Sequence, residues 1–151
     1  MAHIYQLIRE QWIGKPINEA FAFFSRPENL EQITPPWLSF HIVRSDKQLQ
    51  AGSLINYKLR IHGLPMRWTS EIEAWEPPYR FVDKQLRGPY KLWHHEHSFR
   101  EQNGGTSIRD RVDYALPFGV LGEVAHALMV RRDVESIFQF RRDRLQELLG
   151  A

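Results

Sequence analysis

The stretch 93–119, WHHEHSFREQNGGTSIRDRVDYALPFG, decides the architecture. Asn103-Gly104 is a two-residue turn signal between two runs that alternate apolar and polar residues. Reversal there pairs Phe99 with Ile108, His97 with Asp110, His95 with Val112 and Trp93 with Tyr114. All eight share one face of the hairpin, while His94, Arg109, Arg111 and Asp113 look the other way. The inward face is apolar except at His95, His97 and Asp110. A carboxylate taken out of water must be partnered, and His97 is the cross-strand neighbour, its Cβ roughly 5 Å away. The pair reads either as an acid/base dyad, with the imidazole polarised by its carboxylate, or as a bridge that satisfies two inward polar groups.

Working outward, turn signals recur about every ten residues from 39 to 116, the pattern of an antiparallel meander. Gly63-Leu64 fits a type II′ turn and would pair Ile61 with Met66, Leu59 with Trp68, Tyr57 with Ser70 and Ile55 with Ile72. Lys58, Arg60, Arg67, Glu71 and Glu73 then face solvent, so the sheet is wet on one side only. A bend at Pro77-Pro78 favours pairing Ile72 with Asp83 and Ala74 with Phe81, which turns Phe81, Asp83 and Gln85 inward. A three-residue turn at Gly88-Pro89-Tyr90 sets Asp83 beside His95. The inward polar groups thus gather mid-sheet among Tyr57, Trp68, Trp93 and Tyr114, apolar walls with a few convergent polar groups.

Upstream, residues 3–13 read as a strand, and short helices are expected after Pro16 and over 27–33. Downstream, Leu121, Val124, Leu128, Ile137 or Phe138, Leu145 and Leu148 or Leu149 recur at helical spacing over 118–149. Such a helix reaches roughly 45 Å, longer than a small sheet is wide, so a bend near Gly119 and Gly122 is expected. Arg131, Arg132, Arg141, Arg142 and Arg144, spaced by acids, read as its solvated face or as a surface for an anionic partner.

The order strand, two short helices, meander, long helix, together with AFAFFSRPENLEQITPPWLSF, HGLPMRW, EPPYRFVDKQLRGPYKLWHHEHSF and GGTSIRDRVDYALPFG, resembles the START and birch-pollen-allergen (SRPBCC) superfamily, in particular its small bacterial ligand-binding or polyketide-cyclase-like members. The resemblance implies one α+β helix-grip domain over 1–151, a curved antiparallel sheet of about seven strands closing on the C-terminal helix around a cavity. It also implies a hydrophobic ligand such as a lipid, quinone, polyketide or aromatic metabolite. Tyr57, Trp68, Asp83, Gln85, Trp93, His95, His97, Asp110, Tyr114 and Leu128 are the residues expected to meet it.

Composition narrows the alternatives. The 151 residues are 42% hydrophobic and 25% charged, the balance of a globular protein. Without cysteine there is no disulfide, thiolate nucleophile or sulfur-ligated metal, which suits a cytoplasmic location. A net charge of only +2, with acids and bases interleaved, argues against nucleic acid. MAHIYQLIREQW has no continuous apolar run to serve as a signal or a transmembrane span. No nucleophile elbow is present. Two histidines two apart on a strand can chelate a metal, and Asp110 opposite His97 would make a two-His, one-carboxylate set. With no convincing third and fourth ligand, neither metal nor cofactor is expected. The classes left are a hydrophobic-ligand binder, a cyclase or aromatase in which His95, His97 or Asp110 moves protons, and a protein-interaction module on the basic helix face.

Overall fold

The computed structural model describes residues 3–150; residues 1, 2 and 151 of the expected domain span lie outside the described part. Period-two patterning builds seven strands: β1 (Tyr5–Ile13), β2 (His41–Ser45), β3 (Leu54–Ile61), β4 (Leu64–Glu76), β5 (Arg80–Arg87), β6 (Leu92–Gln102) and β7 (Gly105–Ala115). They form one antiparallel sheet of order β1-β7-β6-β5-β4-β3-β2, a meander whose last strand is flanked by the first. Between β1 and β2 lie α1 (Ile17–Phe24), α2 (Glu28–Gln32) and a 3₁₀ turn (Pro36–Leu38). After β7 the chain is helical from 119 to 149, as α3 (Gly119–Ala125), a π turn (His126–Val130) and α4 (Arg131–Leu149). This is the α+β helix-grip arrangement. Its main core packs Ile13, Phe21, Phe24, Phe81, Phe99, Ile108 and Leu145 between sheet, α1 and α4.

Registers decide which side chains meet. The β6–β7 pairs are those of the Asn103-Gly104 reading, including His97 opposite Asp110 and Trp93 opposite Tyr114. The β3–β4 register departs from expectation. Its turn residues are His62 and Gly63, with φ of 51° and 83°, so both central positions are left-handed, as a type I′ turn requires. Tyr57 therefore pairs with Trp68 and Leu59 with Met66, two residues away from the expected register. An even slip leaves every side chain on its face, so Ile55, Leu59, Trp68 and Ile72 stay buried. On β4–β5 Ile72 pairs with Asp83, but a bulge after it pairs Ala74 with Val82 rather than Phe81. Asp83 then faces His95 across β5–β6.

The terminal helix corrects the sequence reading twice. Leu121 and Leu128 are 75% and 77% exposed, and Val124 is exposed too, because the extra residue of a π turn breaks the phase of the expected stripe. His126 takes the inward place there, stacked 3.4 Å from Tyr5 and bonded through Nε2 to the Tyr114 hydroxyl at 2.9 Å. Beyond the π turn, Val134, Phe138, Leu145 and Leu149 are buried, and so is Arg141, which belonged to the expected solvated face.

Gly105 follows the β6–β7 turn at a close approach to β1. A Cβ there would lie 2.3 Å from the Ile13 carbonyl oxygen and 2.6 Å from the Trp12 ring. At Gly104 a Cβ meets open space, although its φ of +76° disfavours any side chain. Gly105→Ala is expected to cost about 3 kcal/mol and Gly104→Ala about 1 kcal/mol in urea unfolding. Equal stabilities for the two variants would refute this reading of the turn.

Candidate functional site

Between the concave face of the sheet, α2, the 3₁₀ turn and α4 lies a cavity of about 640 Å³. That is the size of a small-molecule site. Aliphatic and aromatic groups make most of its wall, among them Leu38, Ile55, Leu59 and Phe138. Trp68 stands at the centre of an aromatic group, stacked on Tyr57 at 5.7 Å and edge-on to Trp93 at 5.4 Å and Tyr90 at 5.6 Å. The Trp68 indole N–H is satisfied by the Ser70 hydroxyl at 2.9 Å. Burial pushes the Tyr57 and Tyr90 hydroxyls well above their usual pKa, so both rings are neutral walls. Exposed lining residues, Trp37, His62 and Arg132, mark where the cavity reaches solvent. There His62 Nε2 lies 2.8 Å from Asp133 Oδ2, tying the β3–β4 turn to the start of α4.

One wall is polar. Successive inward positions of β6 deliver His95 and His97, and their rings stack at 3.6 Å. Phe81 stacks on the other side of His97 at 3.8 Å, and Phe138 meets His95 edge-on at 5.4 Å. The ion partners are crossed relative to the backbone register. His95 Nε2 contacts Asp110 Oδ1 at 2.8 Å, and His97 Nε2 contacts Asp83 Oδ2 at 2.6 Å. The expected His97–Asp110 contact is the looser one, 3.4 Å from Nδ1 to Oδ1. Asp110 thus keeps two histidines, with the shorter bond going diagonally to His95.

Arg141, which sequence reasoning placed in solvent, completes the cluster. Its guanidinium donates from Nη2 to Asp110 Oδ1 at 3.3 Å and to His97 Nδ1 at 3.2 Å, and lies over the rings of Phe24 and Phe138. Its Nε is buried with no partner among the described residues. Because His97 Nδ1 accepts from Arg141, its Nε2–H donates to Asp83, which defines the neutral tautomer. Burial pulls the His97 pKa down to about 4. Burial alone would raise Asp110, but Arg141 and the His95 bond win and hold it well below the carboxylate range. Asp83 is likewise lowered, burial being outweighed by His95 and His97.

Of the expected site residues, Tyr57, Trp68, Asp83, Trp93, His95 and His97 line the cavity, and Asp110 stands directly behind the histidines. Three do not reach it. Gln85 is spent on the β5–β6 turn, bonding both N–H and C=O of Tyr90 at 3.1 and 2.6 Å. Tyr114 packs with Leu7, Val112 and Val134 in a separate cluster. Leu128 lies on the exposed side of the π turn. Arg141 had one legible signal: it sits three residues after Phe138 and four before Leu145, both on the buried stripe.

The fold is that of the START and birch-pollen-allergen superfamily. Within it the chain belongs to the family described as polyketide cyclase/dehydrase and lipid transport, which matches residues 13–139. No curated protein matches the chain. Among solved structures, protein CV1439 from Chromobacterium violaceum superposes with a TM-score of 0.75 at 11% identity, covering 97% of this chain and 99% of that one. Protein Ms6760 from Mycobacterium smegmatis gives 0.70 at 18% identity over 95% and 89%. The major latex-like protein 151 of Panax ginseng gives 0.59 at 18% over 88% and 96%. At these identities the likeness is one of fold.

Removing Arg141 leaves the Asp110 carboxylate buried without its cation. Arg141→Met is therefore expected to lower the unfolding free energy by about 3 kcal/mol or more, and Arg109→Met, on the wet face, by under about 0.5 kcal/mol. Adding Asp110→Asn to Arg141→Met should recover part of the loss. Guanidinium unfolding of the three variants measures this, and an Arg141→Met protein as stable as Arg109→Met would contradict it.

Proposed function

We propose that the chain binds a hydrophobic small molecule in the cavity between sheet and terminal helix, with an apolar body against Trp68, Trp93, Leu59 and Ile55 and a polar end toward Asp83, His95 and His97. The observation that supports this most is the cavity itself, about 640 Å³ of mainly apolar wall with one convergent polar group set. The family description, which joins lipid transport with cyclase and dehydrase chemistry, agrees with a ligand of this kind. Lipids, quinones, polyketides and aromatic metabolites all have that shape. No helix among the described residues is long and apolar enough to cross a membrane.

A second reading, proton transfer on a bound polyketone, is favoured by one contact. His95 lines the cavity and has Asp110 on its far nitrogen at 2.8 Å, the orientation of a carboxylate-supported general base. Native mass spectrometry of the protein from its own cells separates the two. A carrier retains the same ligand in wild type and His95→Gln, whereas an enzyme retains ligands that differ in mass.

Leu59 lines the cavity from mid-strand, so Leu59→Trp fills part of its space. Binding of the neutral apolar probe N-phenyl-1-naphthylamine is expected to weaken about tenfold or more, equivalent to about 1.4 kcal/mol. Fluorescence titration reads it. Unchanged probe affinity in a folded Leu59→Trp protein would place the apolar site elsewhere.

A further inference from the structure

We infer that Asp83, His95 and His97 form a mononuclear site for a divalent first-row metal ion, facing the cavity. Each offers one ligand atom, and these atoms lie within 4.8 Å of one another. Metal–ligand bonds of about 2.1 Å put neighbouring ligand atoms about 3.0–3.4 Å apart. Asp83 Oδ2 lies 2.6 Å from His97 Nε2 and 3.7 Å from His95 Nδ1, so its two separations bracket that spacing.

The fixed charges favour a cation at this point. His95 Nε2 lies 2.8 Å from Asp110 Oδ1, and its Nδ1 faces the Asp83 carboxylate at 3.7 Å. Asp83 and Asp110 bring two carboxylates to the cluster and Arg141 one guanidinium, which leaves it one fixed positive charge short of balance. Such a deficit is costly away from water.

The outer shell is in place as well. Histidine ligands of metals hand their other N–H to a carboxylate. Asp110 Oδ1 lies 2.8 Å from the outer nitrogen of His95 and 3.4 Å from that of His97. When the ion binds His97 Nε2, the ring proton moves to Nδ1. Nδ1–H then donates a hydrogen bond to the Asp110 carboxylate, and the guanidinium of Arg141 keeps its bond to the same carboxylate instead of to the ring. Two imidazoles and one carboxylate suit Zn²⁺ or Fe²⁺, and the remaining coordination positions open toward the cavity, where an oxygen of the ligand can take one. Only that last step rests on the proposed function; metal binding does not.

The test uses chelator-treated full-length protein and ZnSO₄ in isothermal titration calorimetry, with Co²⁺ absorption as a second readout. The expected result is one equivalent of Zn²⁺ bound at about micromolar affinity or better, with visible Co²⁺ bands and a wild-type melting temperature that rises on adding Zn²⁺. Asp83→Asn and His97→Gln are expected to weaken binding about 100-fold, and Asp110→Asn about tenfold, as loss of an outer partner does. His94→Gln, at the exposed pair with Glu73, is expected to change it less than about twofold. Far-ultraviolet circular dichroism of Asp83→Asn reports whether that variant is folded, and the wild-type melting shift stands without any variant. No Zn²⁺ binding tighter than millimolar, or binding indifferent to Asp83→Asn and His97→Gln, overturns the site. Zn²⁺ binding without N-phenyl-1-naphthylamine binding would sink the cavity reading and leave the metal site standing.

Discussion

The Asp110 carboxylate is the constraint around which the rest is arranged. It is held on the inward face of β7 by strict alternation with Ile108 and Val112, both fully buried, so it cannot turn to water. Its charge has to be met inside. Two histidines two residues apart on β6 and an arginine from the terminal helix meet it, and that requirement ties the sheet to the helix at one defined point. Hydrophobic contact fixes that α4 covers the sheet but tolerates sliding. A guanidinium that must reach one carboxylate and one imidazole does not, so Arg141 sets the rotation and height of α4 where apolar packing would accept neighbours of either.

How much of this the sequence discloses depends on how local the information is. The β6–β7 hairpin is legible down to the residue pair because Asn103-Gly104 names the turn and period-two patterning names the face. The β3–β4 register is not, because His62-Gly63 and Gly63-Leu64 are both competent two-residue turns and pattern alone cannot separate registers that differ by two. The face survives the error, which is why the cavity wall remains readable where the pairing does not. Side-chain partners are a finer matter again. His97 sits opposite Asp110 in backbone terms, yet the short bond goes diagonally to His95, since Asp83 on the other flank of β6 draws the Nε2 of His97 to itself.

The helix shows the reverse failure. A periodic apolar pattern from Leu121 to Leu149 predicts one continuous stripe, and a single π turn splits it. Before the turn the apolar residues face outward; after it they face the core, and the change of phase brings His126 under Tyr5 and Tyr114. No residue type marks a π turn, so its effect on burial is carried by tertiary structure alone. Arg141 was obscured for a related reason. Arginine on a helix is read as solvated, yet its position between Phe138 and Leu145 says inward, and position outranks residue type once a buried anion is waiting on the facing strand.

A polar cluster of this kind costs stability that a fully apolar core of the same volume would not. Leucine or methionine at the positions of Asp83, His95, His97, Asp110 and Arg141 would close the wall with no charge to satisfy. What the present arrangement adds is a graded interior. The cavity runs from neutral aromatic walls at Trp68 and Tyr57 to a set of aligned nitrogens and oxygens at His95, His97 and Asp83, with its opening beside Trp37 and His62. A ligand with one apolar and one polar end gains in a single orientation, because reversing it strands the polar end against the indoles and leaves the carboxylates facing hydrocarbon. The cost carried by the folded chain is thus what makes the cavity directional, and in the proposed function a directional cavity would hold the same atom of its ligand against the same few side chains each time it binds.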